Sequence, residues 1–223
     1  PVGLRLIVHD FHERERLAVP ILTLLQLQAA EGLPHLAIDG RDWADNPARF
    51  GALSAIGAAV GRFGIGEWRP DVVHGHDWQA GLVAAYMEAA DAPHPPSIFT
   101  VHNIAFQGNF AAGHLSALGL PEQAWHMHGV EYHGQLSFLK AGLQFASQIS
   151  TVSPTYAREI QDELFGYGLA PLLRHRRTHL CGILNGIDTA IWNPAADPAL
   201  PAAYAANRLA AKRANKAALQ REM

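Results

Sequence analysis

One short stretch of the chain concentrates the residue types that carry chemistry. Positions 71–81 read Asp-Val-Val-His-Gly-His-Asp-Trp-Gln-Ala-Gly, so an apolar pair runs directly into two histidines, an aspartate and a tryptophan. Imidazole and carboxylate groups bind metals, move protons and hydrogen-bond to hydroxyl-rich ligands. Open α/β sheets bind their ligands at the carboxyl ends of strands. We therefore interpret His76, Asp77 and Trp78 as candidate site residues at the end of a strand.

Three further predicted strands end in polar or turn-forming residues. The residues that follow them are, in chain order, His102 and Asn103, then Ser153, then Asn185 and Gly186. In a parallel sheet all carboxyl ends lie along one edge, so residues far apart in sequence converge there. We expect these strand ends to form a single ligand site with the histidines of the first stretch.

Apolar periodicity predicts an α/β fold. Strands that alternate with helices imply a Rossmann-like parallel sheet covered on both faces. Ser153-Pro154 predicts an N-cap and a first helical residue, and the glycine- and histidine-rich positions 105–133 predict loop with short helices. The predicted strands are Leu4–Val8, Asp71–His74, Ser97–Val101, Gln148–Val152 and Leu180–Leu184, and the predicted helices are Val19–Ala30, Phe50–Phe63, Gln79–Ala90, Gln135–Ser147, Pro154–Gln161 and Ala202–Glu222.

Three chemical interpretations of the strand ends compete. The metallo-hydrolase pattern His-x-His-x-Asp-His requires a residue between the second histidine and the aspartate, but Asp77 follows His76 directly, which argues against a metal site. Recognition of a hydroxyl-rich ligand fits the mixture better, because Asp and Asn pair with sugar hydroxyls, a neutral histidine adds one directed bond, and Trp78 offers an apolar ring face. The third interpretation is structural: each polar side chain caps a loop.

Composition narrows the classes of function. The 223 residues carry a formal net charge of −3, which gives no electrostatic case for binding nucleic acid or an anionic membrane. No apolar run approaches the ~20 residues that span a bilayer. The sequence contains no P-loop and no nucleophile elbow, and its single cysteine excludes an internal disulfide. We expect a cytoplasmic protein that uses neither metal nor cofactor, and the sequence leaves its oligomeric state undefined.

Longer motifs resemble the bacterial glycogen synthases and plant starch synthases. The stretch 71–81 is similar to a strand and loop of that family, as is Phe-Thr-Val-His-Asn-Ile-Ala-Phe-Gln-Gly at 99–108. Further motifs follow in the family's order and spacing, across roughly positions 34–222. They are Ser-Phe-Leu-Lys-Ala-Gly at 137–142, Thr-Val-Ser-Pro-Thr-Tyr-Ala-Arg-Glu-Ile at 151–160, Gly-Tyr-Gly-Leu at 166–169, Ile-Leu-Asn-Gly-Ile-Asp at 183–188 and Trp-Asn-Pro at 192–194.

The resemblance implies one half of a glycosyltransferase B-type fold, in which two Rossmann-like domains face each other across a cleft. It implies transfer of glucose from ADP-glucose to the non-reducing end of an α-1,4-glucan such as glycogen, with retention at the anomeric carbon. By motif, His102 lies beside the transferred glucose, and His102 and Asp77 are the implied catalytic residues. The residues implied to bind substrate are His76, Trp78, Asn103, Gln107, Asn185 and Gly186.

The sequence also departs from the family pattern. It has no Lys-x-Gly-Gly-Leu loop, which in the family helps to bind the donor diphosphate, and Asp-Gly-Arg-Asp-Trp at 39–43 follows Leu33–Leu36 almost at once. We expect residues 1–200 to form most of an N-terminal domain, and 201–223 a helix leading into a C-terminal glycosyltransferase domain. On this interpretation the chain alone has no appreciable transfer activity. The alternatives are a non-catalytic glucan-binding module and, less favoured, a His/Asp metal-dependent hydrolase.

Overall fold

The structure, a computed structural model that describes residues 21–23, 41–90 and 92–223, is built around a five-stranded parallel sheet. The strands in chain order are β1 (Ile21–Thr23), β2 (Val72–His76), β3 (Ser97–Val101), β4 (Asn109–Ala111), β5 (Glu131–Tyr132), β6 (Gln135–Ser137), β7 (Gln148–Thr151) and β8 (Leu180–Gly182). The large sheet has the order β1-β2-β3-β7-β8, and all its neighbouring pairs are parallel. The predicted α/β class with a Rossmann-like parallel sheet is confirmed.

Helices connect the strands and pack on one another. In the described part of the chain they are α1 (Asn46–Phe63), α2 (Leu82–Glu88), α3 (His114–Ala117), α4 (Phe138–Phe145), α5 (Pro154–Glu159), α6 (Ala170–His175) and α7 (Lys212–Glu222). α2 contacts both α1 and α4. Because α2 links β2 to β3, this packing holds the two strands that carry the candidate histidines.

Two serine caps determine where helices begin. Ser153 Oγ accepts a hydrogen bond from the Tyr156 N–H at 2.9 Å, so α5 begins at Pro154 as predicted. Ser137 Oγ accepts from the Lys140 N–H at 3.2 Å, so α4 begins after it. The first part of the predicted helix Gln135–Ser147 is therefore the strand β6.

A second, antiparallel sheet of three short strands was not predicted. β6 lies between β4 and β5, within and beside the stretch 105–133 that the sequence assigns to loop with short helices. Strands of two or three residues are too short to show an alternating pattern of apolar side chains. The prediction of short helices in this stretch is confirmed by α3 and by a 3₁₀ turn at Glu122–Ala124.

Two sequence predictions, for β1 and for β2, need correction. The predicted helix Val19–Ala30 is wrong at Ile21–Thr23, which forms β1 and pairs in parallel with β2. Short apolar runs have no feature that separates a buried strand from a buried helix. β2 also continues through His76 instead of ending at His74. The predicted strand Leu4–Val8 and the segment Leu33–Leu36 lie outside the described residues.

The core lies between the large sheet and its helices, and two glycines allow close backbone approach there. A Cβ placed on Gly81 would lie 1.9 Å from the Phe138 carbonyl oxygen, and one on Gly142 would lie 2.4 Å from the Phe99 ring. The largest fully buried side chains are Phe50, Phe138, Leu82, Met87, Ile104, Leu136, Leu139, Leu143, Ile149, Ile160, Leu169 and Leu173.

The chain divides into two compact units, one ending at Leu184 and the other covering Asn185–Met223. The first contains both sheets, and the second contains α7. The sequence places its boundary after residue 200 instead, and that domain assignment stays a prediction, but the predicted helix Ala202–Glu222 is wrong in its first part, because α7 begins at Lys212. Among the described residues, no helix has the length and apolar character needed to cross a membrane.

The contact between α2 and α4 predicts a strong effect of one added methyl group. Gly81→Ala places a Cβ against a backbone carbonyl that has no room to move, so we expect the free energy of unfolding to fall by about 1–3 kcal/mol or more. Gly113→Ala is the matched control, since its Cβ would meet open space and its φ is −60°. Urea unfolding of both variants tests this. Equal stability of the two would contradict the packing described.

Candidate functional site

Three histidine rings come together at the carboxyl ends of β2 and β3. His74 and His76 lie on the same face of β2, with ring centroids 4.1 Å apart at an interplanar angle of 33°. His102 directly follows β3, and its Nε2 lies 3.1 Å from His76 Nδ1. The predicted convergence of the strand ends is therefore confirmed for β2 and β3. We call His74, His76, Asp77 and His102 the strand-end cluster.

A line of hydrogen bonds beneath the cluster joins three neighbouring strands. His74 Nε2 is 2.6 Å from Thr100 Oγ1, which is 2.5 Å from Ser150 Oγ. Thr100 is 8% exposed and Ser150 6% exposed, and their positions oppose each other in the pairing of β3 with β7. Buried polar groups lose free energy unless they are paired, so this line fixes the His74 ring.

Asp77 connects the two strand ends. Its N–H donates to the Thr100 carbonyl oxygen at 2.9 Å, and its carboxylate Oδ1 accepts from the His102 N–H at 2.7 Å. Its backbone has φ 52° and ψ −177°, a region that side-chain-bearing residues rarely adopt. The strain is sustained by these two hydrogen bonds. Asp77 thus holds the backbone of His102 in place instead of pointing into open space.

The loop after His102 is shaped by two further hydrogen bonds. Asn103 Oδ1 accepts from the Ala105 N–H at 3.0 Å, and Tyr156 Oη accepts from the Ile104 N–H at 3.0 Å. Asn103 is exposed, while Ile104 is buried in the core. The loop therefore has a fixed shape that displays the imidazole of His102 and the amide of Asn103 together.

The side chain of Gln107 links the loop after His102 to the Gly-Tyr-Gly motif at 166–168 by a hydrogen bond. Its Nε2 donates to the Tyr167 carbonyl oxygen at 2.9 Å, and its Oε1 accepts from Asn109 Nδ2 at 3.1 Å. Tyr132 Oη donates to the same Tyr167 carbonyl at 2.9 Å. Tyr167 and Gly168 both have positive φ, so the Gly-Tyr-Gly motif is a tight turn. Both ends of the Gln107 amide are used inside the protein, and its contact with a substrate stays a prediction.

Trp78 does not present a ring face to a ligand, contrary to the sequence interpretation. Only 5% of it is exposed, and its ring lies 4.8 Å from Phe50 and 6.3 Å from Phe138, measured between centroids. Gly108 covers it closely, since a Cβ there would lie 2.3 Å from the indole. The indole is a large apolar surface and is more stable in the core. Trp78 is therefore a core residue directly after Asp77.

Asn185 and Gly186 belong to the second compact unit, where both are exposed. They follow β8 after a short extended segment, in which the Ile183 N–H donates to the Thr151 carbonyl oxygen at 2.8 Å. Ser153, another predicted strand-end residue, uses its hydroxyl to cap α5. Of the predicted residues, the structure brings together His76, Asp77 and His102, with Asn103 beside them in sequence.

Burial favours the neutral form of His74 and His76. The pKa of His76 is lowered from its ordinary 6.5 to about 4, mainly by burial and also by nearby His74 and His102, while Asp77 partly offsets these effects. Burial, followed by the effect of His102, also lowers the pKa of His74. The facing nitrogens of His76 and His102 share one hydrogen bond, an arrangement that leaves neither of these two atoms for a metal. Among residues 21–23, 41–90 and 92–223, no group of three or more His, Cys, Asp or Glu side chains could hold a metal ion.

A model of the starch synthase catalytic domain matches residues 9–175, which is most of the chain. The chain belongs to the starch synthase catalytic domain family. Its similarity to glycogen synthases is high: 61% identity over 209 residues to that of Dechloromonas aromatica, and 54% over 185 residues to that of Roseobacter denitrificans. These alignments cover 93% and 83% of this chain but 43% and 39% of those proteins. The chain thus spans less than half the length of these relatives.

A solved structure gives the same assignment. The catalytic domain of starch synthase IV from Arabidopsis thaliana, bound to ADP and acarbose, matches with a TM-score of 0.62 and 34% identity. The match covers 82% of this chain and 38% of that one. This starch synthase family chain therefore has the α/β fold of one part of a larger catalytic domain.

Sequence reasoning missed the neutral hydroxyls that support the site of this family member. The sequence does not single out Thr100 and Ser150, because a serine or threonine within an apolar strand is common, nor Tyr156, which lies in a predicted helix. A usable signal was present: Thr100 and Ser150 are polar residues within two predicted strands of one parallel sheet. Such a pair has to find a partner when it is buried.

The hydrogen bonds of Asp77 predict how its variants behave. Asp77→Ala loses the acceptor for the His102 N–H and keeps the strained φ, so we expect the free energy of unfolding to fall by about 1–3 kcal/mol. Asp77→Asn keeps an Oδ1 acceptor on a side chain of the same shape, so we expect a loss of less than about 1 kcal/mol. Chemical denaturation of both variants measures the difference, and equal losses would refute this role.

The lowered pKa of His76 predicts a stability that depends on pH. As the pH falls below 6.5, the unfolded chain takes up a proton at this residue before the folded protein does. The contribution of neutral His76 to the free energy of unfolding is fully present above pH 6.5 and is lost as the pH falls toward 4. Urea unfolding at pH 7 and pH 5 should therefore show a larger loss for wild type than for His76→Asn. His74 has the same direction of shift, so part of the loss remains in the variant. Identical losses in both proteins would contradict the neutral state of His76.

Proposed function

We propose that the whole protein is a retaining glucosyltransferase that moves glucose from ADP-glucose to the non-reducing end of an α-1,4-glucan such as glycogen. The observation that carries this proposal is the exposed His102–Asn103 pair, held by the strand-end cluster within a member of the starch synthase catalytic domain family. The related Arabidopsis domain was solved with ADP and acarbose, a nucleotide and a saccharide-like ligand.

In this proposal His102 and Asn103 bind hydroxyl groups of the sugar. Imidazole nitrogens and a carboxamide each provide directed donors and acceptors, and their loop is already in a fixed shape. Because the loop is already fixed, less entropy is lost when two bound sugars reach the geometry required for reaction. Asp77 and His76 contribute indirectly, because their hydrogen bonds are to His102. Asn185 and Gly186, which follow β8, are proposed to contact the donor.

The proposal assigns neutralisation of the departing diphosphate to other residues. The strand-end cluster consists of one carboxylate and three imidazoles, and partial burial lowers the pKa of two of these imidazoles, His74 and His76, which disfavours their cationic forms. A negative leaving group requires cationic side chains or well-placed N–H donors. We propose that the part of the whole protein that corresponds to the rest of its relatives supplies those groups, with a cytoplasmic location and no metal or cofactor. On this basis the 223-residue chain alone transfers no appreciable glucose.

Incorporation of radiolabelled glucose into glycogen tests this function. We expect the full-length protein to use ADP-glucose in preference to UDP-glucose, and His102→Ala to lower kcat/KM by about 100-fold or more, since it removes a directed contact to the reacting sugar. His175→Ala is the matched control, because His175 is an exposed histidine at the end of α6 and is not a member of the strand-end cluster. The 223-residue chain is assayed beside them.

Two outcomes would overturn the proposal. One is full activity of His102→Ala, and the other is the absence of transfer from either nucleotide sugar by the full-length wild type. Retardation of an inactive full-length protein in glycogen-containing native gels would instead favour the glucan-binding module. Transfer by the 223-residue chain above its own His102→Ala control would refute the need for further residues.

A further inference from the structure

His76 directs its ring at His102. The contact joins His76 Nδ1 to His102 Nε2 at 3.1 Å, with the ring centroids 5.3 Å apart and 40° between the ring planes. A neutral imidazole has one N–H donor and one acceptor nitrogen, so two such rings can share a hydrogen bond through these atoms. His102 Nε2 is thereby used within the protein.

The ring of His76 is itself held from the opposite side. It stacks on His74, and His74 hydrogen-bonds to the buried Thr100, which bonds in turn to Ser150. All of these side chains sit on β2, β3 or β7, which are paired in register. The ring orientation of His76 is therefore fixed, and its hydrogen bond to His102 Nε2 can fix the orientation of the His102 ring.

His102 is fixed at two points. Asp77 holds its backbone N–H, and His76 holds its ring Nε2. A side chain held at its backbone and at the far end of its ring has no freedom to rotate without breaking a bond. The remaining ring nitrogen, Nδ1, has no hydrogen bond to the described residues, and His102 is exposed.

We propose that His76 is a positioning residue, which orients the His102 imidazole so that Nδ1 is the only ring nitrogen offered to a sugar hydroxyl. This inference rests on the proposed glucosyl transfer for its ligand, and it changes the role that the sequence assigns to His76, from binding substrate to orienting the residue that does. A hydroxyl can donate or accept, so it pairs with Nδ1 in either tautomer of the coupled rings.

Charge supports this arrangement. The groups that face His76 are His74, His102 and Asp77, and burial with the two neighbouring imidazoles outweighs the carboxylate, so the pKa of His76 is low. His76 thus stays neutral near pH 7. Its Nδ1 can accept a hydrogen bond when His102 Nε2 carries a proton, or donate one when His102 Nε2 does not. A positively charged His76 would lack the lone pair needed to accept.

Nitrogen NMR of the wild-type protein tests the hydrogen bond directly. With 15N-histidine labelling, we expect a scalar coupling across the hydrogen bond between His76 Nδ1 and His102 Nε2, and ring shifts of His102 that belong to one fixed state. Absence of the coupling, together with His102 shifts typical of a free imidazole, would overturn the inference without any variant having to fold.

Kinetics of full-length variants test the consequence. His76→Phe keeps a flat ring but has no nitrogen, and we expect kcat to fall about 10- to 100-fold with little change in the KM for ADP-glucose. His76→Asn can place an amide oxygen or nitrogen near the position of Nδ1, so it should restore most of that loss. His175→Phe and His175→Asn are the matched controls and should match wild type.

The outcomes separate the two proposals. Wild-type kcat in His76→Phe, or equal losses in the Phe and Asn variants, would overturn the positioning role while leaving glucosyl transfer in place. If wild type transfers no glucose, the proposed function fails. The NMR coupling and a change in the His102 ring shifts in His76→Phe then still support positioning of His102, and their absence overturns it.

Discussion

The parallel register of β2 against β3 determines where every residue of the strand-end cluster lies. His76 opposes Thr100, and the next N–H along β2, that of Asp77, donates to the Thr100 carbonyl oxygen. This last bond of the ladder turns the chain sharply and places the Asp77 carboxylate at the His102 N–H. A shift of one residue would move His74 and His76 to the opposite face and separate both from His102. The chemistry of the site is thus a consequence of strand pairing.

The buried hydroxyls secure that register. Thr100 and Ser150 are both almost fully buried, and each would lose free energy if its partner moved away. Backbone hydrogen bonds of parallel strands repeat along the ladder and so tolerate a slip, but the line from His74 through Thr100 to Ser150 exists in one register only. Polar side chains here give specificity to a sheet whose apolar residues provide most of the stability.

The sequence was sufficient to predict what depends on local pattern and on topology. β3 has the predicted bounds, Ser153 caps α5, and His76, Asp77 and His102 meet at one edge because parallel strands end there. What depends on three-dimensional packing was not predictable in the same way. The burial of Trp78 follows from Phe50 and Phe138, which are 28 and 60 residues away along the chain. Nothing in the local pattern around Trp78 distinguishes an indole that faces a ligand from one that faces the core.

The strand-end cluster contains groups that form directed hydrogen bonds but no lysine or arginine side chain. Burial lowers the pKa of His74 and His76 in the strand-end cluster. Two hydrogen bonds of the cluster orient His102: Asp77 accepts from its backbone N–H, and His76 bonds to its ring. Orientation of a sugar requires directed bonds at fixed positions, whereas a departing diphosphate requires positive charge. Cationic side chains next to His74 and His76 would lower the already low pKa of these imidazoles and compete for their hydrogen-bond partners. Groups that orient a sugar and groups that bind a diphosphate therefore work best on different parts of a protein.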